Sequence, residues 1–164
     1  VRIYNITDWT YRILIDAVSE PFGIAIDKGE KSVVLVNYNS DLSVYDYQTG
    51  AFKYDIPNSS PAGQPYFDPS GKRLSFSSNN KFIVWDVESN SQVKIINNFG
   101  YIRYMGISPD EKLSLRTGVN NYGLELWNVH RGFKIGKFNE TAGFVEIYVH
   151  PANQHVFTRE FSHS

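Results

Sequence analysis

Phe82-Ile83-Val84-Trp85-Asp86-Val87-Glu88-Ser89-Asn90 is the stretch from which the rest of the chain is read. Apolar residues stand three and one positions before Trp85, Asp86 follows it, and small polar residues come next. Side chains alternate faces along a strand, so a buried face selects apolar residues at every second position, and a hairpin turn selects residues that cap or tolerate its backbone. The same arrangement returns along the chain: Tyr4, Tyr45, Trp85 and Trp127 are spaced 41, 40 and 42 residues apart, each followed by Asn or Asp (Asn5, Asp46, Asp86, Asn128). One position before the aromatic stand Ile3, Val44, Val84 and Leu126, and three before it Val1, Leu42, Phe82 and Leu124. The turns that follow are Thr7-Asp8, Gln48-Thr49-Gly50, Glu88-Ser89-Asn90 and His130-Arg131-Gly132. These are antiparallel hairpins.

A second landmark keeps step with the first. Asp27-Lys28, Asp68-Pro69, Ser108-Pro109 and His150-Pro151 are also spaced 41, 40 and 42, each 23 residues after its aromatic. The length variation therefore falls between this landmark and the next aromatic, over 18, 17 and 19 residues. Each landmark joins two apolar runs: Ile24-Ala25-Ile26 to Val33-Val34-Leu35-Val36, and Met105-Gly106-Ile107 to Leu113-Ser114-Leu115. Turns are expected near Gly29, Ser70-Gly71, Pro109-Asp110 and Ala152-Asn153, with Pro fixing φ at the first central position in three of the copies. Each unit is thus four short antiparallel strands, and a period in the low forties is what one blade of a β-propeller occupies. The expected division is a half-unit 1–20, full units 21–61, 62–99 and 100–141, and a half-unit 142–164.

These residues resemble the WD40 family. Phe67-Asp68-Pro69-Ser70-Gly71-Lys72 and Ile107-Ser108-Pro109-Asp110-Glu111-Lys112 are similar to its first hairpin turn, and Val84-Trp85-Asp86-Val87 to its signature strand end. Only Trp85-Asp86 is a full Trp-Asp pair and the family's Gly-His is absent, so its buried His-Ser-Asp network should be missing or replaced. The unit from Pro21 to Gly50 resembles YVTN-type propellers as much. The resemblance implies an all-β fold of four-stranded antiparallel blades, part of a propeller of about seven blades.

Composition agrees with a compact β-protein. Aromatics number 25 of 164 residues and the 41% hydrophobic residues fall in short runs, as suits strands that bury both faces. No apolar run approaches the roughly 18 residues that span a bilayer, and no signal-peptide pattern is present. Charge is balanced, 16 basic against 17 acidic residues without a polybasic run, which disfavours nucleic acid or an anionic membrane as partner. The absence of cysteine excludes disulfides and Cys-zinc sites and leans toward a reducing compartment, the cytoplasm. Asn5-Ile6-Thr7, Asn58-Ser59-Ser60 and Asn139-Glu140-Thr141 fit the glycosylation pattern at a frequency expected by chance.

Two flanking half-units would expose sheet edges and apolar faces. Three arrangements would satisfy them: a fragment of a larger propeller, favoured because the sequence does not start with Met, closure on itself as four blades, or two chains completing an eight-bladed ring. The expected partners are therefore other proteins and either the remaining blades of the same polypeptide or a second copy.

No catalytic constellation is legible, and no cofactor or metal site is expected. His150, His155 and His163 match no zinc spacing, and His150 occupies a turn slot. Asp46 and Asp86 stand where Asn5 and Asn128 stand in other units, and an amide replaces a cap but not a general acid. Gly-rich phosphate loops, Gly-x-Ser-x-Gly and His-Glu-x-x-His are absent. What remains is the start of each first strand: Phe22-Gly23, Gly63-Gln64, Arg103-Tyr104 and Val145-Glu146. These pairs vary while their neighbours repeat, and in WD40 propellers the matching positions line the top face near the channel. Phe22, Gln64, Arg103, Tyr104 and Glu146 are accordingly the candidate partner-binding residues; a merely solvated surface, or an Arg103–Glu146 pair, would leave the same pattern. The length-variable segments at Asn37 to Asp41, Ser77 to Asn80 and Val119 to Tyr122 are secondary candidates. The function expected is a non-enzymatic protein-interaction scaffold. A YVTN-like enzyme or small-molecule binder using the central channel, and a purely structural subunit, are the alternatives.

Overall fold

The computed structural model describes residues 1–15, 21–37, 41–60, 63–68, 70–97, 99, 102–108, 110, 112–118, 124–129, 131–138, 143–149 and 156–161. Every regular element among them is a strand. The first are β1 (Arg2–Tyr4) and β2 (Tyr11–Ile13), then β3 (Pro21–Ile26), β4 (Ser32–Asn37), β5 (Leu42–Asp46) and β6 (Phe52–Ile56). There follow β7 (Tyr66–Phe67), β8 (Arg73–Ser78), β9 (Lys81–Asp86) and β10 (Ser91–Ile96). The last are β11 (Ile102–Ile107), β12 (Leu113–Gly118), β13 (Leu124–Asn128), β14 (Phe133–Phe138), β15 (Gly143–Val149) and β16 (Val156–Phe161).

All pairing is antiparallel between neighbours in sequence. The strands β3–β6, β7–β10 and β11–β14 form three four-stranded sheets, and β1–β2 and β15–β16 form two-stranded ones. Among the described residues no sheet closes on itself. The repeat is visible in the register: Tyr45 lies opposite Val33, Trp85 opposite Leu74 and Trp127 opposite Ser114.

The sheets stack because their central strands are apolar on both faces. Val34, Val36, Leu42, Val44 and Ile56 pack on Leu74, Phe76, Ile83, Trp85 and Val87 of the next sheet. From the opposite face of β4, Val33 and Leu35 pack with Val1, Ile3, Leu14 and Ile15. Phe82, Val84 and Ile96 pack with Phe99, Ile107, Trp127 and Val129, and Leu115, Leu124 and Leu126 form a further cluster on the other side of β12 and β13. Each such aliphatic or aromatic side chain contributes about 1.5–3 kcal/mol on full burial, so these clusters dominate the stability.

Turn chemistry follows the repeat. The carboxylate or amide after each aromatic accepts a backbone N–H from the turn: Thr7 to Asn5 at 2.9 Å, Thr49 to Asp46 at 2.9 Å, Ser89 to Asp86 at 2.8 Å and Arg131 to Asn128 at 2.8 Å. The Thr49 N–H and hydroxyl hold Asp46 at a pKa of about 2, below the ordinary carboxylate range. The second landmark works alike, with Ser32 N–H on Asp27 at 2.6 Å, Arg73 N–H on Asp68 at 2.9 Å and Leu113 N–H on the Ser108 hydroxyl at 2.9 Å. The expected turns at Gly29, Gly71 and Asp110 are present, while Ala152-Asn153 lies outside the described residues. Two of the loop candidates differ from their sequence reading, and one is Asn37, the last residue of β4, paired with Pro21. Ser77 and Ser78, expected in a loop, are buried residues of β8, opposite Phe82 and Lys81. Serine carries no apolar signal, yet the ladder continues through it.

Candidate functional site

Three of the four rim pairs, Phe22-Gly23, Arg103-Tyr104 and Val145-Glu146, occupy one structural position defined by backbone count, whereas Gly63-Gln64, expected at a strand start, precede β7. In β3, Pro21 pairs with Asn37 and Gly23 with Val36, which leaves Phe22 as an extra residue in a bulge. In β11, Ile102 pairs with Gly118 and Tyr104 with Thr117, leaving Arg103. In β15, Phe144 pairs with Glu160 and Glu146 with Arg159, leaving Val145. A β-bulge sets two residues against one, bends the strand and re-aims a side chain, and such bulges recur at sheet edges and functional sites. Here the same bulge recurs at the start of three first strands. The side chains of Phe22, Arg103, Tyr104 and Glu146 lie outside the described set; their strand positions are fixed by these pairings.

Gln64 is held differently. Gly63 N–H donates to the Ser77 carbonyl at 2.9 Å, and the Gln64 side-chain amide reaches the neighbouring sheet to donate to the Ile24 carbonyl at 2.8 Å. A Cβ at Gly23 would lie 2.6 Å from Gln64 Oε1, so the missing side chain of Gly23 is what admits Gln64. Gln64 thus ties the segment just before β7 to β3, and β11 lies against β15, bringing Arg103 and Tyr104 to the strand that carries Glu146. Asn37, opposite Pro21, keeps its Oδ1 buried without a hydrogen-bond partner among the described residues. It is the polar orphan nearest in register to the Phe22 bulge.

Among the secondary candidates, residues 38–40 and 119–122 lie outside the described residues, as do His150, His155 and His163. Asn79 and Asn80 form a turn in the left-handed region, φ 48° and 62°, a conformation Asn tolerates better than most residues. The Asn79 side chain donates to the Ser60 carbonyl at 3.0 Å. Among the described residues no three His, Cys, Asp or Glu come together as a metal site, and no helix is long and apolar enough to cross a membrane.

One charged cluster was not anticipated from the sequence. Arg116 Nε and Nη2 donate to Glu125 Oε2 at 2.8 and 2.6 Å, the Trp127 indole donates to the same oxygen at 3.0 Å, and Lys134 Nζ reaches Oε1 at 3.2 Å. The Arg116 guanidinium also lies 4.5 Å from the Phe99 ring centroid and 4.4 Å from that of Trp127. Burial works against the charge on Glu125, but hydrogen bonds from Trp127 and Arg116 and the positive charge of Arg116 hold its pKa below the ordinary value. The bonded side chains all belong to the β11–β14 sheet, and Arg116 and Trp127 meet Phe99, which packs on Phe82 of β9, at the boundary with the β7–β10 sheet.

No family model matches the chain, and no curated protein matches it.

Proposed function

We propose that the chain is a non-enzymatic protein-interaction scaffold, a WD40-like β-propeller platform that holds protein partners on the rim formed by its first strands. The observation that carries this is the repeated bulge at Phe22, Arg103 and Val145, with a different residue type in each copy of one backbone frame. Stacked four-stranded sheets supply a rigid base, and rigidity lowers the ordering cost a partner must offset on binding. Propeller architecture is the reading that best accounts for units of one period stacked through both faces.

Site-specific photocrosslinking tests it. A benzophenone side chain at Phe22 or Arg103 should capture protein partners in cells, whereas the same group at Val93, exposed on the fourth strand of its sheet, should not. Equal capture at Val93 and at the rim positions would remove the rim from the proposal.

A further inference from the structure

Register sets one residue of the fourth strand opposite the apolar residue that precedes each aromatic: Arg12 opposite Ile3, Tyr54 opposite Val44 and Lys94 opposite Val84. Those apolar residues share clusters with the aromatic of the next sheet and the residue two after it: Ile3 with Tyr45 and Tyr47, Val44 with Trp85 and Val87, Val84 with Trp127 and Val129. Directly opposed residues of a strand pair point to the same face. Arg12, Tyr54 and Lys94 are thus all placed toward the turn that follows the aromatic of the next sheet.

Two of the three reach the backbone of that turn. Arg12 Nη2 donates to the Tyr47 carbonyl at 2.9 Å and Nη1 to the Gln48 carbonyl at 3.0 Å, and the Tyr54 hydroxyl donates to the Val87 carbonyl at 2.6 Å. Tyr47 and Val87 each carry a second bond, their N–H groups donating to the carbonyls of Lys31 and Lys72 in the first hairpin turn of their own sheet, at 3.1 and 2.9 Å. One residue therefore joins both turns of its sheet to the outer strand of the sheet before. Val129 holds this position in the third sheet and makes the matching N–H bond to Lys112 at 2.8 Å. Lys94 is likewise engaged, and it is half-buried while Val93 and Ile95 on either side of it are exposed. A lysine less exposed than its apolar neighbours reverses the usual preference; a stem laid along apolar surface with the ammonium at a polar group accounts for it. In the last full sheet the slot opposite Leu126 is Gly136, which supplies no donor.

We propose that this slot is a latch between successive sheets and that Lys94 is its third member, the ammonium donating to the backbone carbonyls of the turn entered at Val129. Each latch acts forward: it holds the two hairpin turns of the sheet that follows and not those of its own. The latched turns lie at the ends of the sheets opposite the first-strand bulges, so the device stands or falls separately from the scaffold function.

Amide hydrogen exchange in the intact chain reads the latch residue by residue. Lys94→Met keeps most of the stem and removes the donor, so exchange at Val129 and Arg131, whose N–H groups bond Lys112 and Asn128, should quicken about tenfold while Val87 and Ser89 keep their parent rates. Tyr54→Phe should do the reverse, quickening Val87 and Ser89, which bond Lys72 and Asp86, and leaving Val129 alone. Lys94→Arg restores a donor and should return Val129 to the parent rate. Unaltered exchange at Val129 in Lys94→Met, failure of the arginine to restore it, or an equal rise across all the sheets in either loss variant would each overturn the proposal.

Discussion

Arg116 and Glu125 form an ion pair at 2.6 Å across β12 and β13, in a register position that the other sheets fill with Leu35 opposite Ser43 and Phe76 opposite Ile83. One sheet therefore sets an ion pair beside its packed Phe82, Phe99 and Trp127 cluster, at a position that its neighbours fill with apolar or small uncharged side chains. Taking both charges out of water is costly, and their attraction repays it only because Trp127, Lys134 and two aromatic faces satisfy what the pair leaves over.

Removing one partner should cost more than removing both. Glu125→Leu leaves Arg116 partly buried and unpaired and should destabilise by about 3 kcal/mol or more, whereas Arg116→Met with Glu125→Leu should come within about 1 kcal/mol of the parent. Denaturant unfolding of the single and double variants checks this. Equal losses in both would show that the pair is not coupled.

Acid should destabilise the fold. Asp46, held at about 2 by the Thr49 N–H, and Asp86 and Asp110, lowered by hydrogen bonds from Ser89 and Ser108, ionise more readily folded than unfolded. In Glu125 burial opposes the same shift and is outweighed. A depressed folded pKa stabilises fully above the unfolded value, near 4, and is lost as pH falls through the folded value, toward 2 for Asp46. Melting temperature should hold from pH 7 to about 5 and fall below about 4. Asp46→Asn should flatten that fall; a melting temperature that rises on acidification would contradict the assignment.

Core and cap positions should differ sharply. Val84→Asp places a carboxylate between packed sheets, at a cost of several kcal/mol, comparable with a domain's whole stability, and should prevent folding. Asp86→Asn should change stability by less than about 1 kcal/mol, because Asn128 accepts the same N–H three residues on and Asn5 caps its turn through the N–H two residues on. Loss of folding in both variants would refute the capping role.

What was legible follows from how local each signal is. The third strands and their turns could be read because Trp85, Tyr45 and Trp127 are flanked by period-two apolar residues and a capping side chain within a few positions. The bulges at Phe22 and Arg103 could not, because a bulge depends on the count of residues across a strand pair. The Arg116–Glu125 pair was hidden for the same reason, since register across a length-variable segment sets the two residues opposite. Its available signal was the intrusion of charge into slots that Leu35 and Phe76 fill elsewhere. Gln64 stands out in the sequence by varying between units, and nothing local reveals that its amide ties the segment before β7 to Ile24.

Turn glycines separate backbone conformation from space. Gly50 and Gly132 both have positive φ, 72° and 74°, but a Cβ at Gly50 would lie 1.7 Å from the Leu14 carbonyl oxygen while one at Gly132 would meet Ile96 at an ordinary 3.6 Å. Asn90 fills the matching slot with φ 50°. Gly132→Asn should therefore cost less than about 1 kcal/mol and Gly50→Asn substantially more, since the β1–β2 hairpin must shift to admit it. Equal melting temperatures for the two would show that the Leu14 contact yields freely.

Trp9 occupies the slot that Gly50, Asn90 and Gly132 fill in the other units, and its φ of 60° places a bulky side chain in the left-handed region. The conformation costs a non-glycine residue about 1–2 kcal/mol, and at 87% exposure the indole recovers little of it by burial. The turn keeps its shape because Asn5 N–H bonds the Thr10 carbonyl at 2.8 Å and Thr10 N–H bonds Asp8 at 2.9 Å. Trp9→Gly should therefore stabilise the hairpin by up to about 1 kcal/mol, the gain from strain relief being partly offset by the greater freedom of glycine in the unfolded chain. Hydrogen exchange at Asn5 and Thr10 reads the effect directly, and slower exchange in the variant is the expected outcome. Faster exchange would mean that the indole contributes contacts which outweigh its backbone strain.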